Sequence, residues 1–344
     1  MKSLQVRFAK RPTGEPTAET FDIGEVELPA LADGQILVRI IWLTLDPYMR
    51  GRMDDKRSYA QPQGIGEVMQ GGTVGQVMES RNPKFAEGDF VLGMFGWQSH
   101  AVSDGTGVRK LDPAAAPLST WVGVMGMPGL TAYVGLLDVG EMKAGDTVVV
   151  SAASGAVGSV VGQLARIKGA KKVVGVAGAE EKCRFVVDEL GFDACVSHRS
   201  PSLRDDLKKA CPDGIDIYFE NVGGPTLEAA LSLMNPFGRI PVCGMISMYN
   251  TGPSTEGPDR LPGLMRRILT DRLKIQGFIV SDRAAERQRS FIEEVGAYVR
   301  DGRIKYRETV TEGLENAPRA FIGLLRGENF GKQLVKVSDD PTRN

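Results

Sequence analysis

The stretch Thr147–Gly169, TVVVSAASGAVGSVVGQLARIKG, constrains this chain more than any other. Five β-prone residues run into Ala153-Ser154-Gly155-Ala156-Val157-Gly158, and a helical pattern follows at once. An apolar strand, a tight glycine turn and a helix open a parallel βαβ unit of the dinucleotide-binding kind. Gly155 lets the backbone approach a pyrophosphate, and Gly158 lets the helix pack closely on the strand. The helix N-terminus then offers N–H donors and the positive end of its dipole to the phosphates. A glycine motif alone is weak evidence. Set between a strand and a helix, with a second strand ending about 20 residues on, it is strong.

The surrounding chain agrees. Strands are expected at Thr147–Ala152, Lys172–Ala177, Ala194–Ser197, Ile215–Glu220, Arg239–Cys243 and Ile275–Val280. Helices are expected between and after them, at Gly155–Lys168, Glu180–Leu190, Leu203–Cys211, Thr226–Met234, Leu261–Thr270 and Ala284–Arg300. Apolar strands alternating with amphipathic helices predict an α/β fold, a doubly wound parallel sheet. Before Trp121 the pattern differs. Gln35–Leu45, Gly72–Met78 and Asp89–Gly93 are short β-prone runs bounded by Gly, Pro or Asn, which favours a small, partly closed β-structure. The tail Gly331–Val337 reads as one more strand that rejoins this part. A chain of 344 residues accommodates two domains. The expected division is a β-rich domain over 1–124, completed by 310–344, and an α/β domain over 125–309.

The formal charge of −1 gives no global field towards nucleic acid or an anionic membrane. No run approaches the roughly 20 apolar residues that span a bilayer. The opening MKSLQVRFAK lacks the apolar core of a secretion signal, so a cytoplasmic location is expected. The four cysteines, Cys183, Cys195, Cys211 and Cys243, include no CxxC pair and read as reduced thiols of a cytosolic chain.

The end of the second strand selects the cofactor. An NAD-specific fold presents Asp or Glu there for the ribose hydroxyls. This strand ends in Ala177-Gly178-Ala179. Gly178 leaves room for a phosphate, and Lys182 lies one helical turn on, with Arg184 close by, to pair with it. Glu180 and Glu181 argue the other way, unless they serve the helix N-terminus. The balance favours NADPH. Metal ligands are scarce: before Cys183 the only soft ligand is His100, and the only other histidine is His198. The β-rich part therefore cannot assemble a zinc site from Cys, His and carboxylate in the usual way, nor hold a four-cysteine structural zinc. No metal is expected.

With these blocks in order, the chain resembles the medium-chain dehydrogenase/reductase superfamily: GMPGLTAY (Gly126–Tyr133), AASGAVG (Ala152–Gly158) and ENVGG (Glu220–Gly224). LDPYMRGRM (Leu45–Met53), CGMISMYN (Cys243–Asn250), GFIV (Gly277–Val280) and NFGKQLVKV (Asn329–Val337) are similar to its zinc-independent branch of prostaglandin reductases, alkenal double-bond reductases and bacterial curcumin reductases. Where the zinc branch carries Gly-His-Glu, this chain has Met69-Gln70-Gly71. The resemblance runs from about residue 5 to 337. It implies a GroES-like β-domain and a Rossmann domain, with nicotinamide and substrate in a cleft between them, and a homodimer. By motif match, Ala156, Val157, Gly158 and Ser159 would line the pyrophosphate, and Lys182 the 2′-phosphate. Asn221, Cys243, Gly244, Met245, Ile246, Ser247, Tyr249, Phe278, Ile279, Val280 and Asn329 would surround the ribose and nicotinamide. Where the branch has Asn-Tyr-Lys beside the adenosine phosphate, this chain has Ser197-His198-Arg199. His198 and Arg199 contact the phosphate, or His198 is a loop residue in solvent.

The reaction implied is NADPH-dependent hydride transfer to the β-carbon of an α,β-unsaturated ketone or aldehyde. It leaves an enolate oxygen that needs a hydrogen-bond donor, and an α-carbon that needs a proton. Tyr249 is the first candidate for donor, since a phenol donates without ionising at neutral pH; the cofactor ribose hydroxyl is the alternative. Tyr48 faces substrate from the other domain or packs the β-domain. Asp46 and Arg50 read as structural. The Pro/Gly-rich segment Met245–Gly263 is irregular enough for a lid over the substrate. Two other functions stay open: quinone reduction on the same fold, and NADPH binding without catalysis.

Overall fold

The computed structural model describes residues 1–251 and 259–343. The chain forms two units, Met1–Gly126 with Glu308–Asn344, and Met127–Arg307.

The first unit is β-rich. In chain order it holds β1 (Lys2–Phe8), β2 (Phe21–Glu27), β3 (Ile36–Thr44), α1 (Tyr48–Arg52), β4 (Thr73–Ser80), β5 (Phe90–Gly93), β6 (His100–Ser103) and β7 (Arg109–Leu111). The second unit follows with α2 (Met127–Val134), β8 (Thr147–Ser151), α3 (Gly158–Ile167), β9 (Lys172–Ala177), α4 (Glu180–Asp188), β10 (Ala194–Ser197) and α5 (Leu203–Ala210). It continues through β11 (Ile215–Phe219), α6 (Gly224–Leu231), β12 (Met234–Val242), α7 (Leu261–Asp271), β13 (Lys274–Gly277) and α8 (Ser281–Arg300). The chain then returns to the first unit as β14 (Glu308–Glu312), α9 (Ala317–Leu325) and β15 (Lys332–Lys336).

In the first unit β1 and β2 pair antiparallel, Lys2 opposite Glu27 through Phe8 opposite Phe21. The larger sheet runs β14-β15-β3-β4-β5-β7, and β6 also pairs with β3. The apolar β3, ILVRIIWLT, is central because it has strand neighbours on both edges. Trp97 stacks on Phe21, with ring centroids 5.7 Å apart, and Phe321 of α9 meets both rings edge-on. The C-terminal segment therefore completes this core rather than trailing from it. One buried ion pair fastens it. Lys332, at the start of β15, donates to the Leu45 carbonyl at 2.6 Å and to Asp46 Oδ1 at 2.8 Å, while Thr44 donates to Asp46 Oδ2. Burial holds the Lys332 ammonium below the usual lysine range, and Asp46 opposes that shift.

The second unit is built on six parallel strands in the order β10-β9-β8-β11-β12-β13. This is the doubly wound order, whose direction reverses between the first strand and the fourth. All of β8 is buried, and Val148, Val149 and Val150 have no exposed surface. Val160, Val161 and Leu164 of α3 are equally enclosed; each such side chain contributes about 1.5–3 kcal/mol on leaving water. Tyr133 of α2 meets Phe291 of α8 edge-on. Among the described residues no helix is long and apolar enough to cross a membrane.

Two elements differ from the expected ones. The strand expected at Ile275–Val280 stops at Gly277, and Val280 instead caps α8, which begins at Ser281. The strand expected to start at Arg239 starts at Met234 and carries Pro236 and Gly238 on its path. Of the expected lid Met245–Gly263, residues 252–258 lie outside the described residues.

Removing the counter-ion of a buried ammonium while keeping the shape isolates its electrostatic role. Asp46→Asn is expected to destabilise the protein by about 3–5 kcal/mol, read as a lower Tm and denaturant midpoint. A loss no larger than about 0.5 kcal/mol, the size of an ordinary surface change, would show that the pair does not hold the return strand.

Candidate functional site

The turn after β8 is strained and crowded in a way that requires its glycines. Ala152 takes φ 50°, a left-handed conformation that costs a residue with a Cβ about 1–2 kcal/mol. Its carbonyl accepts the Gly155 N–H at 2.9 Å. A Cβ on Gly158 would stand only 2.4 Å from that same oxygen, so no other residue starts α3 this close to the strand end. Ala153 N–H still bonds to Val176 of β9, which anchors the turn to the sheet. No side chain caps α3 at Val157. The first N–H groups of the helix thus have no side-chain acceptor, the condition under which an anion is bound there. Gly155, Ala156, Val157, Gly158 and Ser159 all belong to this turn.

At the neighbouring strand end the charges are positive. The backbone leaves β9 through Gly178, where a Cβ would meet His198 Nε2 at 2.8 Å. The imidazole therefore lies over the glycine, and His198 N–H bonds to the Ala177 carbonyl. Ser197 Oγ donates to the Gly178 carbonyl and accepts the Arg199 N–H, which fixes this loop against the strand end. Lys182, in the first turn of α4, completes the group. Burial holds its ammonium below the ordinary lysine value; Glu181 opposes this, and repulsion from Arg199 adds to it. His198 is also held below its ordinary value, by partial burial first and then by Arg199 and Lys182. Lys182 and His198 are thus each depressed in part by Arg199, His198 lies over Gly178, and no acid stands in Ala177-Gly178-Ala179. A dianion there would offset this like-charge repulsion.

The ends of β8, β11 and β12 are joined through Glu220, a residue the sequence pattern did not single out. Its side chain is fully buried. One oxygen accepts the Ser151 hydroxyl at 3.0 Å, the Val222 N–H at 2.6 Å, the Gly223 N–H at 3.0 Å and the Tyr218 hydroxyl at 3.3 Å. Its carbonyl takes the N–H groups of Cys243 and Gly244. Asn221 bridges back to β8, its side chain donating to the Ser151 carbonyl at 2.8 Å. Gly223 at φ 81° and Gly224 at φ 57° give the turn its left-handed path. Ser247 closes over it, donating from both Oγ and N to the Val222 carbonyl. Burial and Glu220 push the Cys243 thiol up to about 12, so it remains neutral.

A recess of about 380 Å³ opens at the ends of β12 and β13, lined by Val242, Cys243, Gly244, Met245, Gly277, Phe278, Ile279 and Asp282. Tyr249 sits at the end of the short turn Ile246–Met248. Its hydroxyl lies over Gly244, where a Cβ would approach it to 3.0 Å, and accepts the Met245 N–H at 3.3 Å. Phe278 packs its ring edge-on against Phe219, and Val280 begins α8. The expected contacts Gly155–Ser159, Gly178, Lys182, His198, Asn221, Cys243–Ser247, Tyr249 and Phe278–Val280 are thus gathered along the carboxyl edge of one parallel sheet.

Tyr48 and Asn329 belong to the first unit. Tyr48 opens α1 and packs against the core formed by Met49, Met53 and Met69, with the Arg52 guanidinium over its ring at 5.1 Å. Burial, then Asp46, pushes its phenol well above the ordinary tyrosine value, so it stays protonated. Arg52 also donates to Gln70 Oε1 at 2.5 Å. The position that carries histidine in zinc enzymes thus holds an amide beside a cation. Asn329 donates to the Gly331 carbonyl at the start of β15. Among the described residues no three His, Cys, Asp or Glu side chains come together to hold a metal ion.

Comparison with known proteins places these features in a family. Residues 4–111 match a family described as the N-terminal domain of oxidoreductase, and residues 156–295 match one described as zinc-binding dehydrogenase. The NADPH-dependent curcumin reductase of Escherichia coli (strain K12) is 50% identical over 333 residues, covering 97% of this chain and 96% of that protein. Prostaglandin reductase 1 of Rattus norvegicus is 44% identical over 329 residues, 94% of this chain and 96% of that protein. The crystal structure of CurA from Vibrio vulnificus in complex with NADPH superposes with a TM-score of 0.94 at 50% identity, covering 98% of this chain and all of that one.

Proposed function

The chain belongs to the oxidoreductase family that includes the NADPH-dependent curcumin reductases and prostaglandin reductase 1, and on that premise we propose that it reduces the activated carbon–carbon double bond of α,β-unsaturated ketones and aldehydes. The observation that carries the cofactor half of this reading is the basic group around Gly178. Lys182, His198 and Arg199 fit the 2′-phosphate that distinguishes NADPH from NADH, and no acid stands where a bare ribose would be held. The turn Gly155–Ser159 would hold the pyrophosphate. Asn221, Cys243–Ser247 and Phe278–Val280 would hold the ribose and nicotinamide along the edge and recess described above, and Asn329 is a further candidate contact. NADPH, when bound, supplies the hydride.

The chain's own task is to stabilise negative charge on the substrate oxygen and to deliver a proton to the α-carbon. Tyr249 is suited to the first. Its hydroxyl accepts from Met245 N–H, a phenol donates without ionising at neutral pH, and Tyr249 stands beside the recess at the strand ends. Donation from a fixed phenol stabilises an enolate more than the starting ketone, which is the differential that lowers the barrier. Tyr48, kept protonated by burial, is proposed as a second phenol facing substrate. The apolar lining of the recess suits conjugated, poorly hydrated acceptors.

We further propose a homodimer. Leu261, Met265 and Leu269 stand 59%, 54% and 77% exposed at i, i+4 and i+8 on α7 among the described residues, beside β13, an edge strand of the sheet. An apolar stripe next to an open strand edge is the surface a second copy covers. Light scattering is expected to return twice the chain mass, and Leu269→Lys the single mass; a monomeric wild type would refute this.

Oxidation of NADPH followed by absorbance against a panel of enones, enals and quinones tests the reaction. Turnover of enones is expected, and Tyr249→Phe should lower kcat about 100-fold with a much smaller change in KM. An unchanged kcat would assign the donor role to the ribose hydroxyl, and turnover of quinones alone would replace the proposed reaction.

The cofactor contact has a separate pH signature. A phosphate raises the pKa of His198 from its depressed free value, so the imidazolium binds more tightly than the imidazole. Affinity for NADPH should therefore rise as pH falls from 8 towards about 6, where the phosphate itself begins to take a proton. The trend should be absent for NADH and in His198→Gln. Lys182→Ala should weaken NADPH about tenfold or more while sparing NADH; equal losses for both would move the 2′-phosphate elsewhere.

A further inference from the structure

Two thiols face each other beside, but outside, the proposed cofactor contacts. Cys183 lies in the first turn of α4, its N–H bonded to the Ala179 carbonyl, and Cys195 lies on β10. The Cys195 thiol donates to the Cys183 sulfur at 3.0 Å, across a sequence separation of 12. Both are half-buried. A Cβ on Gly175, the partner of Cys195 on β9, would stand 3.3 Å from the Cys195 sulfur, so this glycine leaves the sulfur its place.

The two sulfurs are unequal. The bond from Cys195 holds the Cys183 thiol below its ordinary value, with burial opposing, whereas that bond and burial together push Cys195 up. A partly exposed thiol with a lowered value at a helix start, 3.0 Å from a second thiol, has the pairing of an attacking and a resolving cysteine.

We propose that Cys183 and Cys195 form a reversible disulfide that weakens the hold of α4 and β10 on the 2′-phosphate of NADPH. The oxidant is a hydroperoxide. The Cys183 thiolate attacks its terminal oxygen, the O–O bond breaks, and the released alkoxide takes a proton to leave as alcohol (or water, from hydrogen peroxide). Cys183 is left as a sulfenic acid. The Cys195 sulfur then attacks the Cys183 sulfur and loses its proton, and hydroxide departs as water. Two thiols give up two electrons and two protons, and the peroxide accepts both pairs. A thiol reductant reverses the bond by exchange.

The consequence for the cofactor rests on the function proposed above; the disulfide does not. Bonding shortens the sulfur separation from 3.0 Å to about 2.05 Å, so the first turn of α4 and β10 must shift against each other. Lys182 precedes Cys183 directly, and His198 follows the last residue of β10. Charge-assisted contacts lose strength when their geometry is disturbed, and NADH, which lacks the 2′-phosphate, has no such contact to lose.

The test uses the purified whole enzyme, treated with hydrogen peroxide, then unfolded, alkylated and mapped by peptide mass spectrometry. A linked Cys183–Cys195 peptide that disappears with dithiothreitol is expected, with Cys211 and Cys243 still alkylated. Binding followed by nucleotide fluorescence should show the Kd for NADPH about tenfold higher in the oxidised protein and that for NADH unchanged. Cys183→Ser and Cys195→Ser should each abolish both effects and leave basal turnover as in wild type. Absence of the linked peptide, or over-oxidation of Cys183 with Cys195 free, would overturn the proposal. So would a linked enzyme with unaltered NADPH affinity, provided Lys182→Ala weakens NADPH in the reduced protein. If Lys182→Ala has no effect there, the phosphate assignment fails while the disulfide stands.

Discussion

The carboxyl edge of the parallel sheet depends on one buried acidic side chain. Glu220 has no exposed surface, and a polar group so placed must be hydrogen-bonded or the fold loses about 1–3 kcal/mol. The chain meets that demand by bringing Ser151 from β8, Tyr218 from β11 and the N–H groups of Val222 and Gly223 to one oxygen. Its other oxygen has no partner among the described residues. Because the donors come from two strands and a turn, satisfying Glu220 sets the relative height of the strand ends where the winding direction reverses. The Cys243–Tyr249 segment is laid on this platform by backbone bonds to Glu220, Asn221 and Val222. The placement of Tyr249 is thus inherited from a group that does no chemistry itself.

In the proposed reaction, charge on the substrate is answered with hydroxyl protons. Tyr249 receives the Met245 N–H, and Tyr48, in the first unit, is kept neutral by burial and by Asp46. Cys243, though it stands in the recess, is held as a thiol and is a poor nucleophile towards an electrophilic acceptor. That matters for an enzyme proposed to act on α,β-unsaturated carbonyls, because a thiolate at the strand ends would be alkylated by its own substrate. Cys183 alone among the four thiols has its value lowered, because the bond from Cys195 outweighs the burial that raises the others.

Much of the second unit was legible because its signals are local. The apolar runs of β8 and β9, the turn Gly155–Gly158 and the absence of an acid after Ala177 all follow from neighbours within a few residues. What was not legible depends on pairing at a distance. Glu220 looks like the polar end of a strand until the donors converging from β8 are seen. Cys183 and Cys195 form no recognisable motif, since a helix, a loop and part of a strand separate them before the βα packing closes the gap. β12 begins before the expected Arg239, and only part of its length pairs with β11, where the register shifts. In the first unit the β1–β2 hairpin went unpredicted: its strands are polar on one face, and a long connection replaces the two-residue turn that would signal it. His198 was ambiguous from sequence, and its position over Gly178 supports the proposed phosphate contact.

The choice between dinucleotides is then a matter of what the protein leaves unrelieved. Arg199 depresses Lys182, and Arg199 and Lys182 depress His198; repulsion between like charges near a surface is worth on the order of 1 kcal/mol per neighbouring pair. A ligand with a phosphate at this position recovers that cost and adds charge-assisted hydrogen bonds. A ligand without it recovers nothing and also finds no carboxylate for its ribose hydroxyls. Discrimination therefore works from both directions, attraction for one cofactor and an unmet repulsion against the other, which separates close analogues better than either alone. It also explains why such a site is sensitive to small shifts of α4. In the proposed assignment the selectivity resides in Lys182, His198 and Arg199 beside the end of β9, and a small movement of α4 changes which of them reach.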